Sequence, residues 1–196
     1  ALTNVRGPHN INKNAVSRGE LVANRLKHDS VEMKSVAQSQ YLATLEKTRH
    51  RYNGYNLLFG DINSLKVYNN VNNSTHIIDT GVYGLSNADI ATPWPKVTQG
   101  VTALNNYVTK QNIINDEDLF DILRYDNKAD DALLPDTGVG YEWEKALSSI
   151  FIQSEKYGTR TSTLLLVDKN NTLTWKERRF SDKGEAQETR AFSFSI

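Results

Sequence analysis

Tyr55–Ile78, YNLLFGDINSLKVYNNVNNSTHII, settles the fold class. Tyr55–Phe59 is a nearly continuous apolar run bounded by turn residues, the pattern of a buried strand. Gly60-Asp61-Ile62-Asn63 supplies a turn, and Leu65–Tyr68 is the returning arm of a hairpin. Asn69–Ser74 is a polar loop, Thr75–Ile78 a third strand, Asp79-Thr80-Gly81 a turn and Val82–Leu85 a fourth strand. Connections this short join antiparallel neighbours, because a parallel pair needs a crossover of about a dozen residues or more.

The next segment, Gly81–Val97, reads GVYGLSNADIATPWPKV. Its strand ends in Ser86 and Asn87, and Pro93 and Pro95 then bracket Trp94. Each proline fixes its own φ and pushes the preceding residue towards extended geometry, so Thr92 and Trp94 have little freedom. Pro95 suits the first turn of a helix, where a missing N–H costs nothing. Two readings are open. The Asn87 amide can be a donor at a pocket mouth, or the segment is an ordinary strand–turn–helix connection with Trp94 plugging the core.

Helices are predicted on both sides of this strand-rich middle. Ser17-Arg18-Gly19-Glu20 has capping-box spacing and opens a helix to about Lys27, with Leu21, Val22 and Leu26 on one face. Glu32–Arg51 is a second helix, with Tyr41, Leu42 and Leu45 as its core residues. After Pro95, Val97, Val101, Leu104 and Val108 form an amphipathic stripe. Asp116 is placed to cap a helix carrying Leu119, Phe120, Ile122 and Leu123. Tyr141–Ser149 is a short helix in which Trp143 is assigned to the core. Ile150–Ile152, Thr161–Val167, Thr172–Phe180 and Arg190–Phe194 are read as strands, with Asp168-Lys169-Asn170-Asn171 as a tight turn. Helices, strands, helices and strands in that order give an α+β protein or layered sandwich with largely antiparallel sheets, and no βαβ chain. A length of 196 residues suits one domain, 1–196.

The totals limit the function classes. Lys and Arg number 23 and Asp and Glu 23, so no bulk charge draws the chain to nucleic acid or an anionic membrane. No apolar run is long enough to span a bilayer, and no secretory signal is visible, so a cytoplasmic location is expected. With no cysteine, disulfides, thiolate chemistry and cysteine-based zinc sites are excluded for these residues. His9, His28, His50 and His76 are scattered without ligand spacing, so no metal site is predicted. Phosphate-binding and dinucleotide-binding glycine motifs are absent. Nothing in the sequence speaks to oligomeric state.

Three polar positions stand out. Asn4 follows a short apolar strand start, Asn87 ends an apolar strand, and Arg160 precedes the run Leu164–Val167. Amides at strand ends are fixed dipoles for a developing oxyanion, and an arginine can clamp a carboxylate or brace a nucleophile. Turn hydrogen bonds and a surface ion pair explain the same residues without function.

ALTN with a following Arg (Ala1–Arg6), SRGELV (Ser17–Val22), RYNGYNLLFGD (Arg51–Asp61), GLSNADIATPWPKV (Gly84–Val97), LPDTGVGYEWEKALSSIFI (Leu134–Ile152) and YGTRTSTLLLVD (Tyr157–Asp168) together resemble the NRDE family, the transport-and-Golgi-organisation proteins. The resemblance covers most of the chain. It implies an N-terminal-nucleophile-hydrolase-like αββα sandwich. Family members begin with Met-Cys and carry an Asn-Arg-Asp-Glu motif; neither is in these residues, so the expectation is a domain whose N-terminal part, with any nucleophile, lies outside them. The family is more distantly similar to choloylglycine hydrolases, and by position that likeness implies supporting or oxyanion roles for Asn4, Asn87 and Arg160. Tyr83, Ser86 and Trp94 are the implied ligand-pocket residues. The family's roles imply binding or trafficking of haem or an acyl lipid, in eukaryotes tied to secretory organisation; the alternative is an amidohydrolase acting through an N-terminal cysteine. No cofactor is required, and haem enters as a possible ligand.

Overall fold

The hairpin forms as its sequence requires. β2 (Tyr55–Asp61) and β3 (Ser64–Asn69) pair antiparallel, with Leu57 opposite Tyr68 and Phe59 opposite Lys66. Gly60 takes φ +138°, and a Cβ there would run into the Ser64 carbonyl, so the position demands glycine. The computed structural model describes residues 1–7, 11–27, 34–90, 92–155 and 157–196, the side chains at 27 and 34–37 excepted. These residues divide into two compact units, 1–92 and 93–196.

In the first unit, β1 (Leu2–Asn4) joins β2, and β4 (Ser74–Ile78) joins β3, in an antiparallel sheet of order β1-β2-β3-β4. The helices are α1 (Gly19–Lys27) and α2 (Lys34–Thr48). Strand alternation sends Tyr55, Leu57 and Phe59 to one sheet face, where with Tyr68 they pack on Leu21 and Leu45. Tyr41 and Leu42 join this core half-buried, as their helical spacing predicts. Asn56 belongs to the other face. It is fully buried, and its amide oxygen accepts from the Asn69 amide nitrogen at 2.8 Å, directly across the strands.

The second unit carries α3 (Pro95–Lys110), α4 (Asp116–Leu123) and α5 (Tyr141–Ala146). Its antiparallel sheet is β5 (Thr161–Val167), β6 (Thr172–Phe180) and β7 (Ala186–Ser195), in that order. One face packs on helices: Leu164 meets Leu119 and Phe120, with Leu104, Tyr107 and Leu166 at the edges. Lys176 and Asp116, and Arg178 and Glu117, form ion pairs from β6 to the start of α4. The opposite face is open and carries an apolar patch beside the Thr163–Glu177–Arg190 row. Leu165, Trp175 and Phe192 make one cross-strand row, and Phe194 lies in the next; Phe192 is 54% and Phe194 55% exposed.

Each unit, taken alone, is thus a helix layer on one face of an antiparallel sheet, which gives the predicted α+β class. Several local expectations are corrected. Val82–Leu85 is not a strand: β4 pairs only with β3 among the described residues, and the chain beyond it, at 86–89, is held mainly by side-chain hydrogen bonds. Ile150–Ile152 is irregular, because its backbone is satisfied elsewhere: Phe151 N–H donates to Tyr125 O, Ile152 N–H to Thr159 Oγ1, and Ser149 Oγ to Phe151 O. Asn115, and not Asp116, caps α4, its side chain accepting the Glu117 N–H at 2.9 Å. Leu26 is exposed. Trp143 is 46% exposed, edge-on to Tyr157, while its neighbour Glu144 points inward and is buried. His9, His28 and the predicted start of the second helix at Glu32 lie outside the described residues. Among the described residues, no helix is long and apolar enough to cross a membrane.

Candidate functional site

The segment after Ile78 is laid against the first sheet by side-chain hydrogen bonds and one backbone bond. Thr3 Oγ1 donates to Ser86 O at 2.7 Å, Asn56 Nδ2 to Ala88 O at 2.8 Å, and Arg6 N–H to Asn87 O at 2.6 Å. Asp89 Oδ2 accepts from Asn72 Nδ2, and Asp89 Oδ1 stands 3.1 Å from His76 Nε2 on β4. Asn87 Nδ2 donates to the Asn4 carbonyl at 2.9 Å. The structure therefore brings Asn4 and Asn87 together at the end of β1, on the solvent side. Ser86 Oγ donates to Asn87 Oδ1 at 3.3 Å. Tyr83 is half-exposed, its ring lying close over Gly81.

Arg160 and Trp94 belong to the second unit. Arg160 is exposed just before β5, its carbonyl accepting the Phe180 N–H, and it lines a cavity of about 160 Å³ with Tyr157, Ser181, Asp182 and Gly184. Trp94 precedes Pro95 at the start of α3, half-buried, with the Lys96 ammonium 5.9 Å from its ring centre.

The second unit also holds an open groove of about 790 Å³ whose walls include Pro93, Pro95, Tyr125 and Leu133. Lys128 and Asp130 are its charged residues. Lys128 Nζ donates to Ala146 O and Ser149 Oγ, both at 3.0 Å, and its partial burial pulls its pKa below the ordinary lysine value. Sequence pattern gave no hint of this groove. Asp126–Asp136 reads as a polar, acidic loop, and only the fold turns Lys128 and Leu133 towards α3. Glu144 was equally hidden: its carboxylate accepts from Thr137 N–H and Oγ1 at 2.7 and 2.5 Å and holds the turn before α5. Among the described residues, no three His, Asp or Glu side chains gather as metal ligands would.

The sequence profile of the family described as Transport and Golgi organisation 2 matches residues 1–182. The chain belongs to this family. It is 32% identical to "Transport and Golgi organization 2 homolog" of Mus musculus over 210 residues, covering all of this chain and 74% of that protein. The Homo sapiens "Transport and Golgi organization protein 2 homolog" matches to the same extent, and the Bos taurus protein of that name is 35% identical over 191 residues, 91% of this chain and 67% of the relative. The Transport and Golgi organisation 2 match runs through both units, so the segment laid on the first sheet and the groove of the second both lie within it.

Proposed function

We propose that this family member is a cytoplasmic carrier for a small amphipathic ligand, haem or an acyl lipid, built on an N-terminal-nucleophile-hydrolase-like scaffold and acting in secretory transport. The observation that carries the reading is the groove of the second unit. Its volume suits a ligand of that size, and its walls combine proline rings, an aromatic ring and a leucine with one cation. A flat or extended apolar body would rest on Pro93, Tyr125 and Leu133, and its carboxylate would meet Lys128. The printed names of the relatives supply the transport context. What supports the scaffold is that each unit, by itself, is a helix layer on an antiparallel sheet.

Titration of the purified chain with haem, followed by absorbance, and with a fluorescent fatty acid tests this reading. One saturable site per chain is expected for at least one ligand. Leu133 is 60% exposed, so Leu133→Asp puts charge on the groove wall without disturbing the core and is expected to weaken binding about tenfold at unchanged Tm. Linear, non-saturating uptake of both ligands, or indifference to Leu133→Asp, would overturn the groove as the carrier site.

A second reading, an amidohydrolase with Asn4, Asn87 and Arg160 in supporting roles, is favoured by one observation: Asn4 and Asn87 meet at the end of β1. Without cysteine these residues have no thiol nucleophile. The purified chain is expected to turn over no amide substrate; robust turnover would move the nucleophile into these 196 residues.

A further inference from the structure

The groove of the second unit continues into a smaller, more enclosed pocket of about 100 Å³, with which it shares Pro95, Gln99, Tyr125, Asn127, Lys128 and Ala129. The smaller pocket adds Lys96 and Ser148, and no acidic side chain lines it. Asp130 belongs to the wider groove alone, and Asp126 acts on Lys128 from outside the pocket lining. Charge therefore differs along the cleft: Lys96 lines the narrow end alone, Asp130 and Leu133 line the broad end alone, and Lys128 borders both.

The two lysines are held in place before any ligand arrives. Lys96 Nζ donates to Leu147 O at 3.1 Å, and Lys128 Nζ donates to the preceding carbonyl, Ala146 O, and to Ser149 Oγ. Consecutive carbonyls at the end of α5 thus fix both ammonium heads beside the same pocket. Lys128 has three N–H donors and spends two on these partners. Capping the last carbonyls of a helix explains either lysine singly. It does not explain why two line one pocket. A pre-fixed pair of cations gives up little side-chain entropy when an anion arrives.

We propose that this pocket receives an oxyanion, the carboxylate or phosphate head of an amphiphile, between Lys96 and Lys128, with the apolar body lying along Pro93, Tyr125 and Leu133. The assignment rests on the groove reading above and adds the chemical class and polarity of the ligand. It also sets a direction: head towards the end of α5, tail towards Leu133.

Displacement of a groove-bound fluorescent fatty acid by hexadecanoate, methyl hexadecanoate, hexadecyl phosphate and inorganic phosphate tests it. Hexadecanoate or hexadecyl phosphate should bind the wild-type chain about tenfold more tightly than the methyl ester, a difference of ~1.4 kcal/mol. Lys96→Gln and Lys128→Gln should each erode that preference, and Lys128→Arg should keep most of it. The Tm of each variant is the control for folding. Displacement by inorganic phosphate alone would show that a free oxyanion suffices; its failure beside tight hexadecyl phosphate would tie the head to its tail. Acid and ester binding equally to the wild type would overturn the oxyanion pocket and leave the groove standing. If none of the amphiphiles displaces the probe in a saturable way, groove and pocket both fall.

Discussion

The two units solve the same problem, a sheet with helices on one face, and treat the second face in opposite ways. In the first unit that face carries buried amides. Asn56 and Asn69 pair across the strands, Asn69 Oδ1 accepts the Val71 and Asn72 N–H groups, and Asn56 reaches Ala88 O. In the second unit the corresponding surface is a bare apolar row of Leu165, Trp175 and Phe192. A buried amide contributes only where every bond is made, so such a face specifies one arrangement of loop on strand. An open apolar face specifies nothing until something covers it. The first unit is therefore sensitive to single polar deletions, and the second tolerates change on its open face.

The largest effect should come from Asn69→Ala. It removes the Asn56 partner and strands two N–H groups of the β3–β4 loop. A loss of about 3 kcal/mol is expected by chemical denaturation, since each buried group left unpaired costs about 1–3 kcal/mol. A loss under about 0.5 kcal/mol would mean the amides are wet in solution.

Alkali should also single out the first unit. Burial raises the Tyr41 phenol from 10.0 to about 12, with Arg25 opposing, and raises Tyr55 in the same direction. Because the folded state holds these protons more tightly than the unfolded chain, the associated stability is complete below pH 10.0 and is lost as pH climbs through about 12. The last part of the rise in tyrosinate absorbance should coincide with loss of far-ultraviolet dichroism in that window. Ionisation of all nine tyrosines near pH 10 without unfolding would contradict the burial.

Asn87→Ala deletes the bond to Asn4 O and should lower Tm by an amount corresponding to about 1 kcal/mol. An unchanged Tm with weakened ligand binding would instead favour the catalytic or binding role over the fixing of the strand end. The smallest effect belongs to Phe192→Ser, whose side chain is 54% exposed. Stability should stay within about 0.5 kcal/mol, while binding of a dye that reports exposed apolar surface falls. Strong destabilisation would reveal that this face is covered in solution.

The elements legible in the sequence were those whose hydrogen-bonding partners lie close along the chain. The hairpin β2–β3, the Asp168–Asn171 turn between β5 and β6, and the start of α3 at Pro95 follow from local pattern. Val82–Leu85 was misread because apolar alternation shows a segment fit to be a strand, but not whether a neighbour exists to pair with it. Ile150–Ile152 failed for a related reason, since Ser149 and Thr159 side chains take bonds that a ladder would have made. Trp143 is exposed where a core position was expected, because a helix of six residues gives periodicity too little length to decide which side faces in. Of the candidate site, the family resemblance grouped Asn4 with Asn87, and the bond that joins them runs to the Asn4 backbone carbonyl. The groove was not legible, since its lining comes from two separate segments, 93–99 and 125–133, with no shared motif.

The boundary between the units carries a practical dividend. Trp94, Trp143 and Trp175 are the chain's three tryptophans, and all fall within 93–196. The first unit has no tryptophan, and its tyrosines include the buried Tyr55 and Tyr68. Indole emission therefore watches one half of the molecule and phenol absorbance is weighted towards the other. A single unlabelled sample, melted once and observed in both channels, distinguishes one cooperative transition from two.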